Sequence, residues 1–251
     1  MKEKTRTSLV EANIQPFQGV AIAAIILSVW MISLVMLLSA DLSKSSPWLM
    51  GLALLWQTFL YSGLFITAHD AMHGAVFPMN ARVNNAIGSF AVFVYGLFSY
   101  RELFQKHWLH HKHPSTELDP DFHDGRHTNF FSWYFYFMQR YWSWSRILGL
   151  IVLFHSIHYF LHISELNLSL FWVFPSIFSS MQLFYFGTFL THREPDDGYT
   201  TKHRARSTTF STFWSFITCY HFGYHHEHHE YPHLPWWKLP EVYRLRLEDS
   251  Q

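Results

Sequence analysis

The chain has 251 residues, of which 20 % are aromatic and only 14 % charged, too little polar surface for a soluble domain of this length. Its formal net charge of zero gives no reason to expect nucleic acid as a partner, and its one cysteine, Cys219, excludes an intramolecular disulfide and any thiolate-rich zinc or iron–sulfur site. Histidine is the outlier, with 19 residues against 18 Lys+Arg and 18 Asp+Glu, so metal chemistry here has to run on imidazole with carboxylate support.

In chain order, Met1 to Phe17 is polar and of mixed charge. Gly19 to Ala40 and Ser46 to Ala68 hold no Asp, Glu, Lys or Arg, and each is long enough to cross a hydrocarbon core of about 30 Å at about 1.5 Å per residue. The first run is too long for a signal-peptide core and no small-residue cleavage site follows it, so it reads as a retained membrane helix. Only Asp41 to Ser45 separates the two, which predicts an antiparallel hairpin. Ile147 to Leu161 and Leu168 to Leu190, joined through His162–Asn167, predict a second. Two further apolar runs, Asn84 to Tyr100 and Phe210 to Tyr224, are expected to lie in the interface or to re-enter. If either crossed alone, the histidine clusters on its two sides would face opposite leaflets. Every Lys and Arg except Lys44 falls on the side holding both termini, as the positive-inside rule expects of a cytoplasmic face. No linker, repeat or low-complexity tract divides the chain, so one domain over residues 1–251 is expected, all-α and integral to the membrane.

The chemistry-bearing residues come in three clusters. His69-Asp70-Ala71-Met72-His73 closes the second span, and its i, i+4 spacing puts both imidazoles on one helix face. His107-Trp108-Leu109-His110-His111 repeats the pattern at i, i+3 and i+4. Its adjacent His110 and His111 diverge by about 100°, so one could turn to each of two metals. His225-His226-Glu227-His228-His229 has the same H-x-x-H-H frame. All three fall on the side of the termini. Eight or more imidazoles exceed what one ion accepts, since a zinc site usually takes four ligands. The count therefore argues for two ions, while imidazole suits iron, copper, nickel and zinc alike. His192, at the end of the fourth span, and His221, four residues before His225, are further candidate ligands. Asp70, Asp119, Asp121 and Glu227, with His203, are expected to support the ligands from behind, because ligating imidazoles commonly donate their second N–H to a carboxylate. His155, His158 and His162 lie near the far end of the third span and read as packing or interfacial anchors.

These boxes resemble those of the membrane fatty-acid desaturase/hydroxylase superfamily. The flanking words go further. His69 to Gly74, His107 to Asp121 (HWLHHKHPSTELDPD), Phe186 to Arg193 (FGTFLTHR) and His221 to Pro240 (HFGYHHEHHEYPHLPWWKLP) are similar to the bacterial-type carotenoid 4-ketolases. The likeness runs from about Phe65 to Pro240 and departs at Thr191, where that family usually has proline. It implies four transmembrane helices under a cytosolic cap that holds two irons. It further implies O2-dependent oxidation of the allylic C4 methylene of β-ionone rings to a ketone, with β-carotene drawn from the bilayer. No G-x-G-x-x-G follows a strand pattern, so electrons are expected from an external, ferredoxin-like donor. Zinc is not excluded by spacing. The alternatives are a carotenoid 3-hydroxylase, an acyl-lipid desaturase or hydroxylase, and, outside enzymes, a histidine-rich metal transporter. The last expects ligands along the spans rather than at one end.

Overall fold

The computed structural model describes residues 10 and 14–249, and every regular element among them is helical. Most of the polar N-terminal stretch lies outside the described residues. Helix α1 (Gln18–Leu38) leads through a single 3₁₀ turn, Leu42–Lys44, into α2 (Pro47–Met72). The reversal is local chemistry: the Asp41 carboxylate accepts the Ser43 N–H at 3.1 Å. Ser46 then caps α2, with Pro47 in the first helical turn where its missing N–H costs nothing.

Helix α2 is the axis of the molecule and packs against α1, α3 (Ala81–Gly96), α7 (Glu165–His192) and α8 (Thr212–Cys219). Its apolar length ends where Gly74 takes φ +73°. Asn80 opens α3 by accepting the Arg82 and Val83 N–H groups. The Asn84 amide then donates to the Ala71 carbonyl at 2.7 Å, while Tyr95 meets Tyr61 edge-on at 5.9 Å. Helix α3 therefore runs back along α2. Leu97, in the left-handed conformation at φ 55°, stops it. Ser99 and Glu102 then start α4 (Tyr100–Lys112) in the Ser-x-x-Glu pattern of a capping box, with Ser99 accepting the Glu102 N–H. This descent and return brings the second histidine cluster beside the first.

After α5 (Phe130–Arg140) comes α6 (Trp144–Leu161), predominantly apolar and without one buried residue. The last long helix, α7 (Glu165–His192), is continuous but contains two π-helical segments, Ser169–Val173 and Tyr185–Phe189. Pro175 follows the first and removes a backbone donor there. Helices α1, α2, α6 and α7 are each long and apolar enough to cross a membrane. Their bounds lie within a few residues of those expected, and the two doubtful runs appear as the short helices α3 and α8 (Thr212–Cys219). Helix α9 (His225–Glu230), a 3₁₀ turn at Trp236–Lys238 and α10 (Leu239–Asp249) complete the chain.

The core lies between α1, α2, α3, α7 and α8, where Trp30, Tyr61, Leu64, Tyr95, Leu183 and Tyr220 pack together. Gly63 is required there, because a β-carbon would stand 2.6 Å from the Tyr220 hydroxyl.

Candidate metal centre

The ends of α2, α4 and α7 meet α9 at one end of the bundle. His69, His73, His107 and His228 form a first set, and His110, His192, His225 and His229 a second. Within each set one ring nitrogen per residue lies within 4.8 Å of the others. The i, i+3 pairs divide between the sets, while the i, i+4 pair on α9 stays together. On α4, His107 faces the first set and His110, one turn on, the second. On α9, His225 and His229 (i, i+4) go to the second set and His228 to the first. His111 stands between them. Its Nε2 is 2.9 Å from that of His228, and its ring stacks on His229 at 4.2 Å.

The π segment at Tyr185–Phe189 re-phases the last turn of α7, as such bulges often do near functional sites. Gly187 lets the Phe222 ring pass, since a β-carbon would sit 2.0 Å from it. Thr191, where the resembling family has proline, returns its hydroxyl to the Gly187 carbonyl at 2.8 Å. His192 then points inward. Its Nδ1–H donates to the Arg204 carbonyl at 3.0 Å, which fixes Nε2 as the nitrogen with a free lone pair.

His110 is held in the same sense by charge. Both oxygens of Asp119 lie 2.9 Å from its Nδ1, and Asp119 is itself fixed by the Ser115 and Asp121 N–H groups at 2.8 Å. Asp70 accepts the Trp236 backbone N–H at 2.9 Å and stands 3.3 Å from His69 Nδ1. Asp121 approaches His110 Nδ1 at 3.9 Å, and its carboxylate takes the Tyr141 hydroxyl.

The electrostatics follow. Burial, then the neighbouring imidazoles, pushes His73, His107, His111, His225, His228 and His229 far below the usual histidine range, so these rings are neutral with lone pairs available. His110 is the exception. Burial acts downward there too, but Asp119 and Asp121 outweigh it and hold the group up. Burial raises Asp121. The same desolvation opposes ionisation of Asp119, yet the His110 imidazole beside it keeps that carboxyl low.

Protons alone do not satisfy this arrangement. The Nε2 atoms of His73 and His107 are 2.6 Å apart, those of His110 and His229 3.1 Å, and those of His225 and His229 3.2 Å. Nε2 of His69 and of His192 is buried with no hydrogen-bond partner. A buried nitrogen left so is costly, and charging the rings would crowd like charges. A cation in each set resolves both problems. All-imidazole donors exclude a hard oxygen-seeking ion and suit iron, zinc or copper.

Three expected residues stand elsewhere. His221 is not brought to either set. Tyr220 and His221 are successive left-handed residues (φ 47° and 61°), which breaks the helical register to His225 and leaves the ring stacked near Tyr224 at 5.8 Å. Glu227 hydrogen-bonds no ligating histidine. It lies on the other face of α9, buried against Arg246 of α10 at 2.9 Å and accepting from Ser207. His203 bonds Glu230 at 2.8 Å and meets His229 only at ring distance, 5.8 Å. Sequence reasoning missed Arg204, whose contribution is a backbone carbonyl, and Tyr141, which carries no spacing signal.

A cavity of about 100 Å³ opens on the two sets. His69, His107, His110 and His225 form one side, and Phe65, Phe98, Phe137, Tyr141, Phe184 and Phe222 supply aromatic walls.

An imidazole-only double centre at one end of a long-helix bundle defines a class, and the sequence comparisons agree. The Fatty acid desaturase family model matches residues 46–164 and 138–250, and the chain belongs to that family. Among its relatives, a beta-carotene ketolase of Paracoccus sp. (strain PC1) is 41 % identical over 225 residues, 89 % of this chain and 91 % of that one. A second, from Paracoccus sp. (strain N81106 / MBIC 01143), is 44 % identical over 74 % of this chain and 75 % of its own length. A zeaxanthin 4-ketolase of Chlamydomonas reinhardtii is 40 % identical over 74 % of this chain and 42 % of its own. No solved structure matches the chain.

Proposed function

We propose that this chain is a carotenoid 4-ketolase of the membrane, holding two irons in its two histidine sets and oxidising C4 of a β-ionone ring. The observation that carries the reading is the junction of two all-imidazole sets with one apolar, aromatic-walled cavity. Ketolase relatives that span most of the chain support the substrate class. The ligands would be the eight histidines of the two sets, with His111 between them.

When bound, the irons supply O2 activation, and two oxidations at the allylic C4 with loss of water leave a ketone. The chain's own residues do the rest. Asp119 and the Arg204 carbonyl accept the Nδ1–H of His110 and of His192, and so keep their Nε2 lone pairs directed into the centre. The aromatic walls take up a rigid apolar ring by shape and area. All four second-set histidines are buried, so that half of the centre is shielded from bulk water.

The exposed faces of α1 and α6, with Ile25, Ile32, Met36, Val152 and Phe160 outward, suit hydrocarbon rather than water. The Lys and Arg distribution favours a cytoplasmic centre with both termini on that side. Electrons would come from a ferredoxin-like partner. Expression in a β-carotene-accumulating cell tests the reading: echinenone and canthaxanthin are expected, whereas 3-hydroxylated products or altered acyl lipids without ketones would overturn it.

A further inference from the structure

A cavity of about 100 Å³ is smaller than the cavity of about 150 Å³ that takes a benzene, so it admits only the reacting edge of an end ring. A carotenoid carries a rigid conjugated chain several times longer than its end ring, and that chain needs its own place. A second space, of about 230 Å³, lies between α6, α7 and the end of α3. Tyr95 lines both.

Two regular stripes bound the path. On α7, Val173 and Ser176 line the outer groove, and Ser180, Leu183 and Gly187 line the metal-side cavity. The first four, at spacings of three and four residues, share one helix face that runs about 15 Å at about 1.5 Å per residue, and Gly187 follows within the π segment. On α6, Ile147, Leu150, Ile151 and Phe154 form the facing wall, again at helical spacing. Since α6 buries none of its residues fully, the groove is bounded on that side by a helix whose outer face is exposed, toward where lipid would lie. Between the two spaces stands Tyr95. Its hydroxyl is held only by long hydrogen bonds, 3.3 Å to the Ser176 carbonyl and 3.4 Å to Ser179, at the weak end of the range.

We propose that the polyene of the substrate passes Tyr95 and lies in the groove between α6 and α7 while the reacting edge of its end ring reaches into the metal-side cavity. The inference rests on the ketolase reading and adds a subsite to it: a lateral, apolar arm site that selects for a long conjugated chain.

The test uses the full chain in membranes with an electron-donor system, and two probes, β-carotene and the ring-only β-ionone. Ile151→Trp enlarges a side chain of the groove wall. Leu153→Trp puts the same bulk on the same helix, outside the groove, at a residue of similar exposure (37 % against 48 % for Ile151). Iron content checks that each variant is folded. For Ile151→Trp with iron retained, the ratio of β-carotene to β-ionone turnover should fall about tenfold or more, the scale of a misfit in an apolar pocket. Its β-carotene turnover should also fall well below that of Leu153→Trp. Equal β-carotene turnover in the two variants would overturn the inference and leave the groove to a bilayer lipid. A wild-type protein that ketolates neither probe would instead overturn the ketolase reading.

Discussion

The second histidine set is buried in all four members, and two of its rings are held from behind: His110 by both oxygens of Asp119, and His192 by the Arg204 carbonyl. In the first set His73 and His107 are half-buried. There Asp70 stands 3.3 Å from His69, with its better bond given to Trp236. Both sets have four imidazoles, so ligand count does not separate them; preorganisation does. The second set is built as a rigid half-site. The first is a looser one, with two half-buried rings and a longer carboxylate contact. Metal held by the first set is therefore expected to leave first under a chelator.

Substitutions sharpen this contrast. The largest effect is expected from His110→Ala, which removes a ligand and leaves Asp119 a buried carboxylate without its partner. Ketone formation should vanish and bound iron fall while the protein still inserts. Pigment extraction with metal analysis checks this, and echinenone at wild-type levels would remove His110 from the ligand set. Asp119→Asn keeps the shape and loses the charge behind His110. A loss of about 10–100-fold in activity or iron affinity is expected, the usual scale for such partners. Asp70→Asn should cost less, about tenfold at most on that same scale, because its bond to His69 is long. Equal losses from the two Asn variants would erase the distinction between the half-sites. Gly187→Ala comes next. Its methyl collides with Phe222, and overpacking of this kind typically costs about 1–3 kcal/mol, readable as a lower thermal midpoint. His221→Asn should be the mildest, since asparagine tolerates the left-handed backbone and no ligand is removed. Loss of iron from this variant would return His221 to the centre.

The pattern of what the sequence made legible has physical causes. Long uncharged runs specify helices through bulk hydropathy, so α1, α2, α6 and α7 could be read within a few residues. The pairing of His225 with His229 was legible because both lie within an intact helical turn, whereas the shared face expected of His107 and His110 did not anticipate their division between the two sets. His221 was not, since the spacing argument assumes a helix through Tyr220 and His221, where the backbone is left-handed. Glu227 sits among ligands in sequence but on the opposite face of α9, and its role beside Arg246 depends on a distant helix. The π segment before His192 and the contact of Gly187 with Phe222 leave no periodic trace. They arise from packing between α7 and the turn after α8.

The most direct test is elemental analysis of the purified protein with limited chelation. The account predicts two irons per chain, lost in two steps, with His192→Ala abolishing the slower and His73→Ala the faster. A single metal per chain, or full loading with zinc and ketone formation without iron, would contradict it.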